Sequence, residues 1–318
     1  MQNHFKSAIT LLKNTFTALS MLQARDRGTL LDHIRTGSID QELLLSRLQF
    51  QTKALVGPRW GQTCRLRPII AHAKIPPRFA SVAEAKDCYH TQTYIHGPSG
   101  RMRTMLEPPD WPSRYKHALD AFLCSQTSPL NLEDNDRIRL IKIHLLATPL
   151  VPRPTGPHSE SDLADEMHWD QYTSTYENIL DLVESTVYEL ETPQAPSFSL
   201  DFGIIGPLKI LTTRCRDPYL RRKAINLLRI YNRQEGMWHS SLSANVAERL
   251  VEIEEAGLTN VKHSTDICNA ARVSEIRLRH DLDRRQVFLC YSRQQSAVDC
   301  ARINVEEEIN WSDSGGSR

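Results

Sequence analysis

The stretch from Phe198 to Gly257 constrains the fold most, because its punctuation admits three short helices in close succession. Leu208, Leu211 and Cys215 recur on one helical face. Asp217 then directly precedes Pro218, a cap followed by proline at the first helical position, where the missing N–H costs nothing. Leu220, Ala224, Leu227, Leu228 and Tyr231 line a second helix at the 3.6-residue period. Glu235-Gly236 breaks that helix, and Trp238 is expected in the core. Ser240 or Ser241 opens a third helix with Leu242, Val246, Leu250 and Ile253 inward, and Gly257 is placed to cap its end.

The rest of the chain repeats this grammar. Phe5, Ile9, Leu12, Phe16 and Leu19 predict an amphipathic helix over 4–24. It begins almost at Met1, which implies a fragment or a shortened gene. Ser38-Ile39-Asp40-Gln41 fits a capping box and opens a helix carrying Leu44, Leu45, Leu48 and Leu55. Residues 61–77 lose the period and read as a loop. Ser81-Val82-Ala83-Glu84 is a second capping box, opening a helix that runs to Tyr94, and residues 95–112 form a long connection. Tyr115, Leu119 and Phe122 mark the next helix, and Ile138, Ile141, Leu145 and Leu146 another. After a proline-rich loop at 149–165, Trp169, Tyr172, Tyr176, Ile179, Leu180, Val183, Val187 and Leu190 predict one long helix.

Beyond Gly257 the period changes to two. Ser274, Ile276 and Leu278 alternate with Val273, Glu275, Arg277 and Arg279, and the alternation resumes after Asp281-Leu282-Asp283. That pattern predicts a β-hairpin over 271–292. The expected fold class is therefore all-α, an irregular multi-helix bundle or solenoid-like stack with one small β-hairpin near the C-terminus. Residues 1–303 form one helical domain in this reading, and 304–318 a polar, disordered tail.

Composition excludes more than it assigns. A net charge of +1 across 318 residues argues neither for nucleic acid nor for a membrane surface. The seven cysteines are odd in number and widely spaced, with no C-x-x-C, which favours reduced thiols in the cytosol or nucleus. There is no signal-peptide pattern at the N-terminus and no apolar run of membrane-spanning length. Glycine-rich nucleotide loops, G-x-S-x-G, H-E-x-x-H and EF-hand loops are all missing. His158-Ser159-Glu160 has the H-x-E spacing of a deaminase but no P-C-x-x-C after it.

Three groups of side chains carry chemistry. Arg214, Arg216, Arg221, Arg222, Lys223, Arg229 and Arg233 face only one acid, Asp217, in their own stretch. They could contact phosphates, but no aromatic residues interleave them. The favoured reading is a solvated helix face, with some arginines paired to acids elsewhere, Glu252, Glu254 and Glu255 among them. His158, Glu160, Asp162, Asp165, Glu166, His168 and Asp170 are metal-capable, but they straddle a loop and a helix start, where acids are expected for the helix dipole. Cys215 lies on an apolar face and reads as a buried thiol. No catalytic, cofactor-binding or metal-binding residue is nominated, and no enzymatic activity is expected.

The central stretch also carries a resemblance. Gly203-Ile204-Ile205-Gly206-Pro207-Leu208, Cys215-Arg216-Asp217-Pro218, Arg221-Arg222, Ala224, Leu227-Leu228, Arg233, Glu235-Gly236, Trp238 and Glu254-Glu255 resemble a signature of the fungal-specific regulatory region of binuclear zinc-cluster transcription factors. Arg47, Leu48 and Gln51 are similar to that family's R-L-x-x-Q core, and Ser81, Glu84 and Ala85 to its S-x-x-E-A segment. The resemblance runs over residues 4–292 and is strongest at 198–257. It implies a nuclear regulatory module working through protein partners, a homodimer partner or an effector. In that family zinc sits in a six-cysteine DNA-reading module near the N-terminus, and this chain contains no such cluster. No cofactor and no direct DNA contact are therefore expected of this chain. One alternative is a piece of a complete DNA-binding regulator with its zinc cluster upstream of Met1. A helical ligand-binding protein or enzyme is a further alternative.

Overall fold

The computed structural model describes residues 74–96, 110–151, 165–188, 197–199, 203–236, 238–281, 286–295 and 301–309. The helix expected over 4–24, and the capping box at Ser38 with its helix, lie outside the described residues.

Helix α1 (Val82–His96) starts at the second capping box. Ser81 Oγ accepts the Glu84 N–H at 3.1 Å, while the Glu84 carboxylate accepts the N–H of Ala80 at 2.6 Å, one residue earlier than the standard box. Helix α2 (Trp111–Cys124) buries Tyr115, Leu119 and Phe122 against Ala85, Cys88 and Tyr89 of α1. The Tyr115 hydroxyl donates to the Ala85 carbonyl at 2.5 Å, so this buried phenol is satisfied. Helix α3 (Leu132–Ala147) joins two cores: Ile138 and Ile141 face α1 and α2, whereas Ile143 and Ala147 face the centre of the molecule.

The long helix expected from Trp169 is divided. Glu166–Tyr172 is a 3-10 helix, and α4 (Thr173–Tyr188) follows it. Residues three apart eclipse in a 3-10 helix, so Glu166 and Trp169 both point inward and both are buried. Helices α5 (Ile205–Arg214), α6 (Pro218–Ile230) and α7 (Ser240–Glu254) then form the expected central stack. Asp217 Oδ1 accepts the N–H groups of Tyr219 and Leu220 at 3.0 and 2.9 Å, so the cap read from Asp217-Pro218 is present. Leu208, Leu211, Cys215, Leu220, Ala224, Leu227 and Leu228 meet Tyr176, Ile179, Leu180 and Val183 of α4 in the central core.

The all-α expectation is corrected. The described residues hold seven α-helices and two three-stranded sheets, so the fold is mostly helical rather than all-helical. In the first sheet β1 (Ser197–Ser199) runs parallel to β2 (Arg233–Glu235), and β2 runs antiparallel to β3 (Trp238–His239) across the left-handed Gly236, φ +57°. Strands of two or three residues carry no readable alternation. Trp238 is half-buried at the edge of the central core rather than fully inside it.

The second sheet contains the expected hairpin, β4 (Ser274–Asp281) and β5 (Gln286–Gln294), with β6 (Arg302–Ile309) added to β5. Residues 304–309, expected in a disordered tail, are therefore strand. Their glutamates hid it. Val305, Glu307 and Ile309 share one face; Val305 and Ile309 pack toward Leu242, Val246 and Leu250 of α7, and Glu307 pairs with Arg249 of α7 at 2.9 Å.

Candidate functional site

The basic cluster of the central stretch divides into an inner and an outer set. Arg214, Arg216 and Arg221 come from the end of α5, the α5–α6 turn and the first turn of α6. All three turn inward toward Glu166 and Glu254. This departs from a solvated helix face: Arg216 and Arg221 are fully buried.

Glu254, near the end of α7, is the hub. Its two oxygens accept Arg216 Nη2 at 2.7 Å and Arg221 Nη1 at 2.6 Å, and it also accepts the Val273 N–H at 2.9 Å. Burial pushes its carboxyl upward, but the Arg216 and Arg221 guanidiniums outweigh that and bring it down to about 2. Arg216 also reaches Glu166 at 3.2 Å and donates to the carbonyls of Thr213, Arg214 and Val273. Arg214 pairs with Glu166 at 3.0 Å and lies over the Trp169 ring at 4.3 Å. Arg272, just before β4, extends the array. It holds Asp170 through two bonds of 2.8 Å and donates to the carbonyls of Glu166, Ser264 and Ile267.

This array joins the 3-10 turn at Glu166, the α5–α6 corner, the end of α7 and the start of the second sheet. Its donors and acceptors are directed at one another and at main-chain carbonyls, an arrangement that fixes geometry. The outer cations are paired as well. Arg222 meets Glu255 at 2.6 Å, Lys223 meets Glu184 at 2.9 Å and Arg229 meets Glu248 at 2.5 Å. Arg233 Nη1 donates to the Tyr231 hydroxyl at 3.3 Å. Of the three partner acids named from sequence, Glu254 and Glu255 take these arginines, while Glu252 pairs with Arg249.

Two of the metal-capable residues belong to the same array, Glu166 and Asp170. Asp165 instead caps the 3-10 turn, accepting the Met167 N–H at 2.9 Å. His168 packs edge-on against Trp169. His158, Glu160 and Asp162 lie outside the described residues. Among the described residues no three His, Cys, Asp or Glu side chains stand together as a metal site. Cys215 is buried beside Leu208 and Leu211, and burial raises its thiol to about 12.

A second buried acid went unnoticed in the sequence. Glu235 on β2 accepts the N–H groups of Ile204 and Ile205, both at 3.0 Å, at the start of α5. It thus serves as a cap supplied from a distant element, where the helix dipole favours negative charge. His144 of α3 donates through Nε2 to the Gly203 carbonyl at 2.8 Å. The glycine was the available signal, because only a residue without Cβ lets Glu235 come this close. A surface groove of about 460 Å3 lies at the start of α2, lined by Ile75, Pro76, Pro77, Asp110, Ser113, Arg114 and His117.

No family model matches the chain, and no solved structure matches it. Over 63 residues it is 41% identical to the aspercryptin biosynthesis cluster-specific transcription regulator of Emericella nidulans. The match spans 19% of this chain and 10% of that protein. Over that stretch the chain is related to a fungal transcription regulator.

Proposed function

We propose that the chain is a regulatory module of the fungal zinc-cluster type, acting in the nucleus on transcription through protein contacts or an effector rather than by reading DNA itself. The observation that carries this reading is the 41% identity over 63 residues to a cluster-specific transcription regulator. The motif series from Gly203 to Glu255 agrees with it, since its charged members act as fold determinants: Arg216, Arg221 and Glu254 form one buried array, and Glu235 caps α5. The cationic residues of α6 are engaged with acids, which leaves them poorly suited to phosphate contacts. No cofactor is needed in this reading; zinc belongs to a separate DNA-reading module.

The test is a reporter assay in a fungal host, with this chain fused to a foreign DNA-binding domain. The expected result is a change in reporter expression, up or down. A fusion that is expressed and nuclear yet leaves both an activation and a repression reporter unchanged sinks the proposal. Selective, zinc-dependent binding of one DNA sequence by the purified chain sinks its claim about DNA.

A second reading makes the chain part of a complete DNA-binding regulator. It is favoured by the small share of the relative, 10%, that the match spans. Transcript mapping across the 5′ end of the gene decides it: six closely spaced cysteines in frame upstream of Met1 support it, and a transcript starting at Met1 overturns it.

A further inference from the structure

Lys209 of α5 stands apart from the paired cations. Its ammonium nitrogen lies 3.6 Å from the centre of the Trp238 ring on β3, and His280 of β4 is the titratable group set against it. The surrounding acids are engaged elsewhere. Glu235 of β2 caps α5, Glu248 and Glu252 of α7 pair with Arg229 and Arg249, and Glu254 holds Arg216 and Arg221. Lys209 has no ion pair among the described residues, although its side chain is half-buried. Three elements thus converge on one amine, with an aromatic face on one side and a histidine on another.

We propose that Lys209 is an acylation site, modified directly by small acyl thioesters. The Nζ lone pair attacks the thioester carbonyl and the C–N bond forms. The C–S bond then breaks, the thiolate leaves, and the proton lost from nitrogen ends on the thiol. No redox partner is required. An amide with no charge replaces the ammonium beside Trp238 and His280, so the modification removes a poorly solvated cation from the junction between the helical stack and the second sheet. Burial without a counter-charge supports the same chemistry, because it brings the Lys209 amine down to about 7. At neutral pH its unprotonated fraction is then on the order of a thousandfold that of an ordinary lysine. A weaker base is also a weaker nucleophile, so the gain in rate is smaller than that. A neutral amine can keep its place over the indole through an N–H···π contact.

The experiment uses the purified full chain, limiting S-acetyl-N-acetylcysteamine as the probe, and peptide mass spectrometry to read initial acetylation rates at each lysine between about pH 6 and 10. Lys209 is expected to react roughly tenfold faster at neutral pH than the exposed Lys116 and Lys262, with a rate that levels off just above 7. The advantage is expected to vanish in denaturant. A Lys209 rate that trails the exposed lysines, keeps climbing with pH as theirs do, or stays ahead in the unfolded chain overturns the proposal. None of these readings depends on the transcriptional role.

Discussion

Glu235 and Gly203 share one volume. A Cβ on Gly203 would stand 1.8 Å from Glu235 Oε1, in the space the carboxylate occupies while it caps α5. The approach is possible only because residue 203 carries no side chain, and it brings both carboxylate oxygens to the first free N–H groups of the helix. Gly203→Ala is expected to displace Glu235 and to cost about 1–3 kcal/mol, the usual range for forcing atoms into a packed site. Gly206, three residues on, has nothing within 4 Å of where its Cβ would be. Gly206→Ala should therefore be neutral, or stabilising by about 0.5–1 kcal/mol through helix propensity. Urea unfolding of the two variants checks the contrast; equal losses would mean that the cap does not explain Gly203.

Glu254 gives a second prediction. Removing its charge leaves Arg216 and Arg221 buried without their main acceptor, so Glu254→Gln is expected to cost about 3–5 kcal/mol at neutral pH. The pH dependence follows from the direction of the shift. The folded carboxyl lies at about 2, below its unfolded value near 4.5. Its contribution is fully present above 4.5 and is lost as pH falls toward 2. Denaturant midpoints measured across that window should fall steeply in the parent chain and less steeply in Glu254→Gln.

The central helices were legible in the sequence because their cause is local. Leu220, Ala224, Leu227 and Leu228 repeat at the helical period, and Asp217-Pro218 announces its own cap. The buried array was not legible, because its members meet only in space: Arg272 and Glu166 are bonded across 106 positions. One signal was present. Arg221 sits four residues before Ile225 and seven before Leu228, so it lies on the buried side of α6 and needed a buried partner. For β6, Val305 and Ile309 do alternate correctly, but three consecutive glutamates mask them unless Arg249 and Arg279 are known to stand opposite. Trp238 was placed too deep, because its ring shares the edge of the core with the Lys209 amine.

His144 yields a prediction in a higher pH range. Burial lowers its imidazole from 6.5 to about 4, against a smaller opposing effect of the bond to the Gly203 carbonyl. The neutral ring is the folded form, and the unfolded chain takes up a proton first on acidification. Stability tied to His144 is thus complete above 6.5 and declines as pH falls toward 4. An NMR titration should find this ring neutral well below pH 6.5. His144→Gln can keep a donor near Gly203 and should flatten the decline in that window while leaving the steeper loss from Glu254 in place.

The two faces of β6 should respond differently to substitution. Ile309 is buried in the cluster that α7 forms with the second sheet, and Glu307 on the same face reaches Arg249 of that helix. Glu306 points the other way, toward Arg279 on the exposed face of the sheet. Ile309→Ala is expected to cost about 2 kcal/mol, the low end for a large-to-small change in a core, because one side of the site is near the strand's end. Glu306→Ala should leave the melting temperature unchanged, since exposed ion pairs contribute little. If 304–309 were a disordered tail, both variants would melt like the parent. A loss confined to Ile309→Ala, measured by calorimetry on both chains, marks β6 as part of the cooperative fold and ties the end of the second sheet to α7, the helix whose Glu254 holds the buried array together.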